Sequence, residues 1–341
     1  MKSPKYLMML LALILTLAAC KKDKDSSPVK FSELVITIEE QYETPPSRVS
    51  VFFRVEDTAG NPVSGLTEEN FTLFEQGRND DNELLLSKDE ATRVISDNRQ
   101  VFSYNNILVL DLSGSVLNNS LEQLKASANN FVDDVIAVNG NSSASLGVWW
   151  FNGRNELHEL IDFTSDKDAL HEAINSIDPS ISTDNSTDLF GAVLKSTQLA
   201  KSKLAENEIT GILSAVSVVV FTDGTDQAAR YSREEAYTAV DNAPQGIHFY
   251  TIGLGNEIDD TVLKRIGKSS SVFADDTAAL DQKFEEIAGL ISDEANSYYL
   301  FEYCTPKRDG SGISDLHMVV KKDGAIGRKI TQFDATGFED D

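Results

Sequence analysis

From Asn106 to Asp293 short apolar runs alternate with longer stretches of helical periodicity, and that alternation leaves few folds open. Ile107-Leu108-Val109-Leu110 contains no polar residue, as strands covered on both faces of a parallel sheet require. Further strands are expected at Ala144–Phe151, Val216–Phe221 and Ile247–Ile252. Between the first two, Leu121 to Val138 places Leu121, Leu124, Ala128, Phe131 and Val135 at helical spacing. Helices are also expected at Lys167–Ile177, Asp188–Leu204, Arg233–Val240, Asp260–Ile266 and Leu280–Asp293. The pattern predicts an α/β fold over 104–295, a Rossmann-like, doubly wound, mainly parallel sheet.

The flanks read differently. Residues 31–103 carry β-branched, partly alternating runs at Leu34–Ile38, Val49–Val55 and Phe71–Glu75, with turn chemistry at Asp57–Asn61. Residues 296–341 return to β character at Tyr298–Tyr303, Leu316–Val320 and Arg328–Thr331, with no helix between them. A smaller β-sandwich-like module is therefore expected from residues 31–103. The tail packs on it, so the α/β part is inserted within the module.

At the other end, Lys2 and Lys5 precede an apolar run, Leu7 to Ala19, that closes on Cys20. The run is short of the ~20 residues a spanning helix needs and fits a signal peptide over residues 1–19, with a simple transmembrane anchor as the alternative. Leu17-Ala18-Ala19-Cys20 resembles a lipobox. That resemblance implies an acylated Cys20 as the mature N-terminus, a tether over 20–30, and attachment to a lipid bilayer in the bacterial cell envelope. The outer membrane is the expected site, on its periplasmic or cell-surface face. The tether's start, Lys21 to Asp25, resembles that of many Bacteroidetes surface lipoproteins. Cys304 is then the sole cysteine of the folded part and reads as a small apolar filler on a strand. The formal net charge of -25 argues against nucleic acid as a partner and favours hydrated cations.

Asp111-Leu112-Ser113-Gly114-Ser115 follows the first α/β strand directly. Thr187 precedes a helix, and Asp223 ends a second apolar strand. All three segments lie where open parallel sheets bind ligands, at the carboxyl ends of strands. Asp178-Pro179-Ser180-Ile181-Ser182 has the same Asp-x-Ser-x-Ser spacing but no apolar strand before it. In that order, Asp-x-Ser-x-Ser, threonine and aspartate resemble the metal-ion-dependent adhesion site (MIDAS) of von Willebrand factor A (VWA) domains. Gly65 to Phe71 likewise resembles the immunoglobulin-like module that precedes many bacterial VWA domains. The resemblance implies a metal held by Asp111, Ser113, Ser115, Thr187 and Asp223. The serines would bind directly, the aspartates mainly through water, and one position would stay open for an exposed Asp or Glu of a protein ligand. Neutral hydroxyls with few carboxylates suit Mg²⁺, with Mn²⁺ or Ca²⁺ as the other candidates. The family often has Gly before the threonine, whereas this chain has Asn185-Ser186. Asp184, Asp188 and Asp226 read as solvated loop charges, with a role in supporting the metal's ligands or a second cation site as their alternatives.

The expected function is a membrane-anchored, metal-dependent adhesion or scaffold module, not an enzyme. The alternatives are a Mg²⁺-dependent hydrolase or phosphatase and a VWA domain whose metal is purely structural. An aspartyl phosphatase needs a second carboxylate two residues after its strand-end Asp, and Ser113 stands there. Ser113 and Ser115 lie in no Gly-x-Ser-x-Gly elbow. His158, His171, His248 and His317 sit in no catalytic phrase.

Overall fold

Strand-forming runs at both ends of the chain and a strand–helix alternation between them give fourteen strands among the described residues. The computed structural model describes residues 33–338 apart from 78–79, 88–92, 97–101, 137–142, 211 and 307–311. Cys20 and the segment around it lie outside the described residues. In chain order the first part has β1 (Leu34–Thr44), β2 (Arg48–Asp57), β3 (Phe71–Gly77), β4 (Leu84–Leu85) and β5 (Arg93–Ser96). The α/β part follows as β6 (Phe102–Asp111), α1 (Gly114–Asn119), α2 (Leu121–Ile136), β7 (Ser143–Phe151), β8 (His158–Thr164), α3 (Lys167–Asn175), α4 (Leu189–Ile209) and β9 (Leu213–Thr222). It continues through α5 (Arg233–Asp241), β10 (Ile247–Leu254), α6 (Asp260–Ile266), β11 (Ser270–Ala274) and α7 (Leu280–Ala295). The chain closes with β12 (Tyr298–Cys304), β13 (Ile313–Lys322) and β14 (Ala325–Asp334).

The central sheet has the order β11-β10-β9-β6-β7-β8, parallel except for the antiparallel edge strand β8. Alternate residues of β6 and β9 feed two cores. Leu108, Leu110, Val219 and Phe221 pack with α2, α3 and α7, whereas Ile107, Val109, Val218 and Val220 pack with α4, α5 and α6. Burying a Leu, Ile, Val or Phe side chain contributes about 1.5–3 kcal/mol, so two covered faces explain why these strands are apolar throughout. β6 starts at Phe102, so the expected boundary at 103/104 falls inside this strand. Its first residues include Asn105 and Asn106, which the apolar pattern left out. In the sheet Asn106 Oδ1 accepts the Ser217 hydroxyl at 2.6 Å and Asn105 Oδ1 the Ser145 hydroxyl at 2.9 Å, while the Asn105 amide nitrogen is buried with no hydrogen-bond partner among the described residues.

Two four-stranded antiparallel sheets, β1-β2-β12-β5 and β14-β13-β3-β4, enclose a third core of Val51, Phe53, Leu73, Phe301, Met318 and Phe333 among others. β12 lies between β2 and β5, and β13 pairs with β3. The other face of the β2–β12 pair meets the α/β part. Phe52 lies 5.4 Å from the Phe102 ring and 5.7 Å from Tyr298, and Phe102 and Tyr298 are 4.8 Å apart.

Candidate metal site

The parallel order reverses direction between β6 and β9, because β7 follows β6 on one side and β10 follows β9 on the other. That leaves a crevice at their carboxyl ends, the switch point at which open α/β sheets take ligands. Asp111 is the last residue of β6 and Asp223 follows the last residue of β9.

Asp111 is fully buried. Its Oδ1 accepts the Ser113 N–H at 2.9 Å and its Oδ2 the Thr222 hydroxyl at 2.6 Å. Burial pushes its carboxyl up to about 7, against the pull of those hydrogen bonds and with a push from Asp223. Ser113 precedes α1 and is fully buried, but its hydroxyl makes no cap hydrogen bond to that helix. It lies 3.3 Å from the hydroxyl of Ser115, which is exposed and donates to Asp223 Oδ1 at 2.8 Å. Asp223 is half-buried, and burial raises its carboxyl too. Neither aspartate has an ion-pair partner among the described residues. Thr187 is buried, and its carbonyl accepts the N–H groups of Gln227 and Ala228 at 2.8 and 3.0 Å. Its hydroxyl faces Gly224, where a Cβ would stand 3.9 Å from Thr187 Oγ1. Asp111, Ser113, Ser115 and Asp223 thus share one hydrogen-bonded chain, and Thr187 borders it through Gly224 without a hydrogen bond to the other four.

The loop before Thr187 carries side chains where glycine was expected, and the facing loops accommodate them. A Cβ on Gly114 would lie 2.6 Å from Asn185 Oδ1, and one on Gly153 would collide with Ser186. Gly114 N–H also donates to the Asn185 carbonyl at 3.3 Å. Asp184 Oδ1 is engaged by the Ser186 N–H at 3.0 Å and hydroxyl at 2.7 Å, which hold its carboxyl below the usual range. Asp226 Oδ1 accepts the Phe190 N–H at 3.1 Å, and Asp226 Oδ2 the Ala229 N–H at 3.0 Å. The second Asp-x-Ser-x-Ser phrase closes a turn on itself, with Asp178 Oδ1 accepting the Ser180 N–H and hydroxyl at 2.7 and 2.6 Å.

Sequence reasoning passed over two residues. Thr222 fixes Asp111 Oδ2, and Asn152, at the carboxyl end of β7, ties the loops together. Its carbonyl accepts the Asp188 N–H at 3.0 Å and its amide donates to the Ser182 hydroxyl at 2.7 Å. Their positions at the carboxyl ends of apolar strands are the signal that could have found them. Among the described residues no group of three or more His, Cys, Asp or Glu stands close enough to hold a metal. The candidate donors are instead two carboxylates and three hydroxyls.

The model of the von Willebrand factor type A domain family matches residues 107–292. No curated protein matches the chain significantly. Among solved structures, the conserved hypothetical protein BatB from Bacteroides thetaiotaomicron is 21% identical, over 57% of this chain and 100% of that one, with a TM-score of 0.45. The manganese-loaded TRAP protein of Plasmodium vivax is 15% identical, over 74% and 98%, with a TM-score of 0.44. Proximal thread matrix protein 1 from the mussel byssus, described with a zinc-occupied MIDAS motif, is 16% identical, over 64% and 50%, with a TM-score of 0.42.

Proposed function

The chain belongs to the von Willebrand factor type A domain family, and from that premise we propose that it is a metal-dependent protein-binding module, an adhesion or scaffold protein, whose Asp111, Ser113, Ser115, Thr187 and Asp223 hold one divalent cation. One observation carries this reading. Two carboxylates withdrawn from water, neither paired with a base, meet two serine hydroxyls at the switch point between β6 and β9. Burying unpaired negative charge is costly, and a cation at that point offsets the cost. An all-oxygen donor set with only two carboxylates suits Mg²⁺, or Mn²⁺ or Ca²⁺ in its place.

A bound divalent cation supplies a Lewis-acid position for an oxygen ligand. The residues of this chain do the rest. Ser113 N–H and the Thr222 hydroxyl orient Asp111, and Ser115 holds Asp223. Ser115 is exposed, so the site opens to solvent, and an exposed Asp or Glu of a protein ligand would complete the shell. Calorimetric titration with Mg²⁺ and Mn²⁺ tests this. The wild type should take up one ion per chain, and Asp111→Ala should bind it about 10-fold more weakly or worse while keeping its fold. Equal uptake by both proteins sinks the site. EDTA should abolish capture of the ligand from native envelope, and capture indifferent to EDTA leaves the site but sinks the mechanism.

The chain is also proposed to be lipid-anchored in the cell envelope through Cys20. The support is the short apolar run ending in Leu-Ala-Ala-Cys. Among the described residues no helix is long and apolar enough to cross a membrane. Mass spectrometry of the mature protein should find an acylated Cys20 at its N-terminus, and Cys20→Ala should release it from membranes. Unchanged attachment of that variant overturns the anchor.

A further inference from the structure

Thr187 reaches the site from a loop that runs straight into α4, and Asp188 is the residue between them. Asp188 is only 1% exposed. Its Oδ1 caps the helix by accepting the Gly191 N–H at 3.3 Å. The carboxylate lies so close over Gly191 that a Cβ there would overlap it. Its Oδ2 faces Lys195 Nζ at 3.5 Å, two turns down the same face of α4. Neither of these two buried atoms has a hydrogen-bond partner among the described residues. The ammonium is backed instead by the ring of Tyr231, 5.1 Å away, whose hydroxyl is tied to Asn155 at 3.0 Å.

Asp111, Asp223 and Asp226 have no ion-pair partner among the described residues, so Lys195 is the one basic side chain paired with a carboxylate of this group. We propose that Lys195 is a positioning residue for the metal site, holding the Asp188 carboxylate on its cap and through it the Thr187 hydroxyl. This rests on the metal reading above. The argument is one of charge and connectivity. Without that ammonium, water is the better surrounding for a carboxylate this deeply buried, and the side chain turns out toward it. Turning out abandons the Gly191 N–H, and the helix start that sets Thr187 loosens with it. An amide at residue 188 would cap equally well and need no counter-ion.

The test is Mn²⁺ binding to the full chain, followed by electron paramagnetic resonance, with circular dichroism checking the fold. Lys195→Met should weaken binding by about 10-fold or more, the scale on which residues supporting metal ligands act. Lys195→Met combined with Asp188→Asn should return to within about threefold of wild type, because the charge that needed Lys195 is gone. A merely structural lysine would shift the melt in both variants and leave the dissociation constants alone. Should Lys195→Met fail to fold, Lys195→Gln, which removes the charge, carries the same comparison. Binding by the single variant equal to or tighter than wild type overturns the proposal, as does a double variant as weak as the single. A wild type that binds no Mn²⁺ overturns the metal reading itself, and Asp111→Ala as a second control separates that result from the others.

Discussion

Gly114 and Gly153 take up the bulk that Asn185 and Ser186 bring to the loop before Thr187. A departure from the family's usual glycine is thereby matched by glycines across the gap. The complementarity is steric and local, so it predicts a sign. Gly153→Ala places a methyl group onto Ser186 and should destabilise the protein by about 1–3 kcal/mol in urea denaturation, as overpacking does. Adding Ser186→Gly should recover part of the loss. If Gly153→Ala alone unfolds at the wild-type midpoint, the close approach is not real. The same scale explains Asp111. Its carboxyl stays in place because two hydrogen bonds hold it, one from Thr222, a residue whose only sequence signal is its place at the end of a strand.

Where β2, β10, β12 and α7 meet, the contact between the sandwich and the central sheet includes ionisable groups. Arg54 of β2 donates to Glu39 at 3.0 Å and Glu56 at 2.8 Å, and its Nη1 is 4.0 Å from Glu294 Oε1 on α7. His248 of β10 lies 3.4 Å from the same oxygen and 3.2 Å from the Tyr298 hydroxyl. Burial raises the Glu294 carboxyl to about 7, with Arg54 pulling the other way, and burial with Arg54 lowers His248 to about 3. The signs differ. Glu294 contributes stability that is present below its unfolded value of 4.5 and is lost as pH rises through about 7. His248 contributes stability that is present above its unfolded value of 6.5 and is lost as pH falls through about 3. Between 4.5 and 6.5 the two slopes oppose each other, so above 6.5 the Glu294 loss stands alone. Glu294→Gln should therefore show a stability difference from wild type that grows in the variant's favour as pH rises from about 5 to 8. Urea midpoints measured across that range check it, and a difference independent of pH would refute it. Comparing the two proteins cancels the metal-site carboxylates, which both share.

Across the whole molecule, the two antiparallel sheets are built from both ends of the chain. β12 is an interior strand between β2 and β5, and β13 joins β3 to β14. A chain ending after Ala295 would leave β2 and β3 with unpaired edges and strip Phe301, Met318 and Phe333 from their core. Open apolar edges promote association, so this truncation should lower the soluble yield and raise binding of a hydrophobic dye. A truncated protein as soluble and as dye-free as the full chain would show that residues 33–96 fold without the tail.

The class of the fold was legible because its strands are covered on both faces and its helices on one, and such burial writes a period into the residues. Ile107–Leu110, Leu121–Val135 and Asp260–Ile266 carry that period plainly. The edges of the sheet do not. β8 and β11 escaped notice because edge strands are short or half-covered, and β6 hid its start behind Asn105 and Asn106, polar residues whose side-chain oxygens accept hydroxyls from neighbouring strands. The types and order of the candidate ligands were also in the sequence, since each follows a strand or precedes a helix. What only tertiary structure decided is their convergence. Ser115 meets Asp223 across 108 residues, Thr222 meets Asp111 across 111, and Gly153 makes room for Ser186. Local periodicity records which side chains are covered. It does not record which loops close on one another, because that depends on the order in which the strands lie side by side.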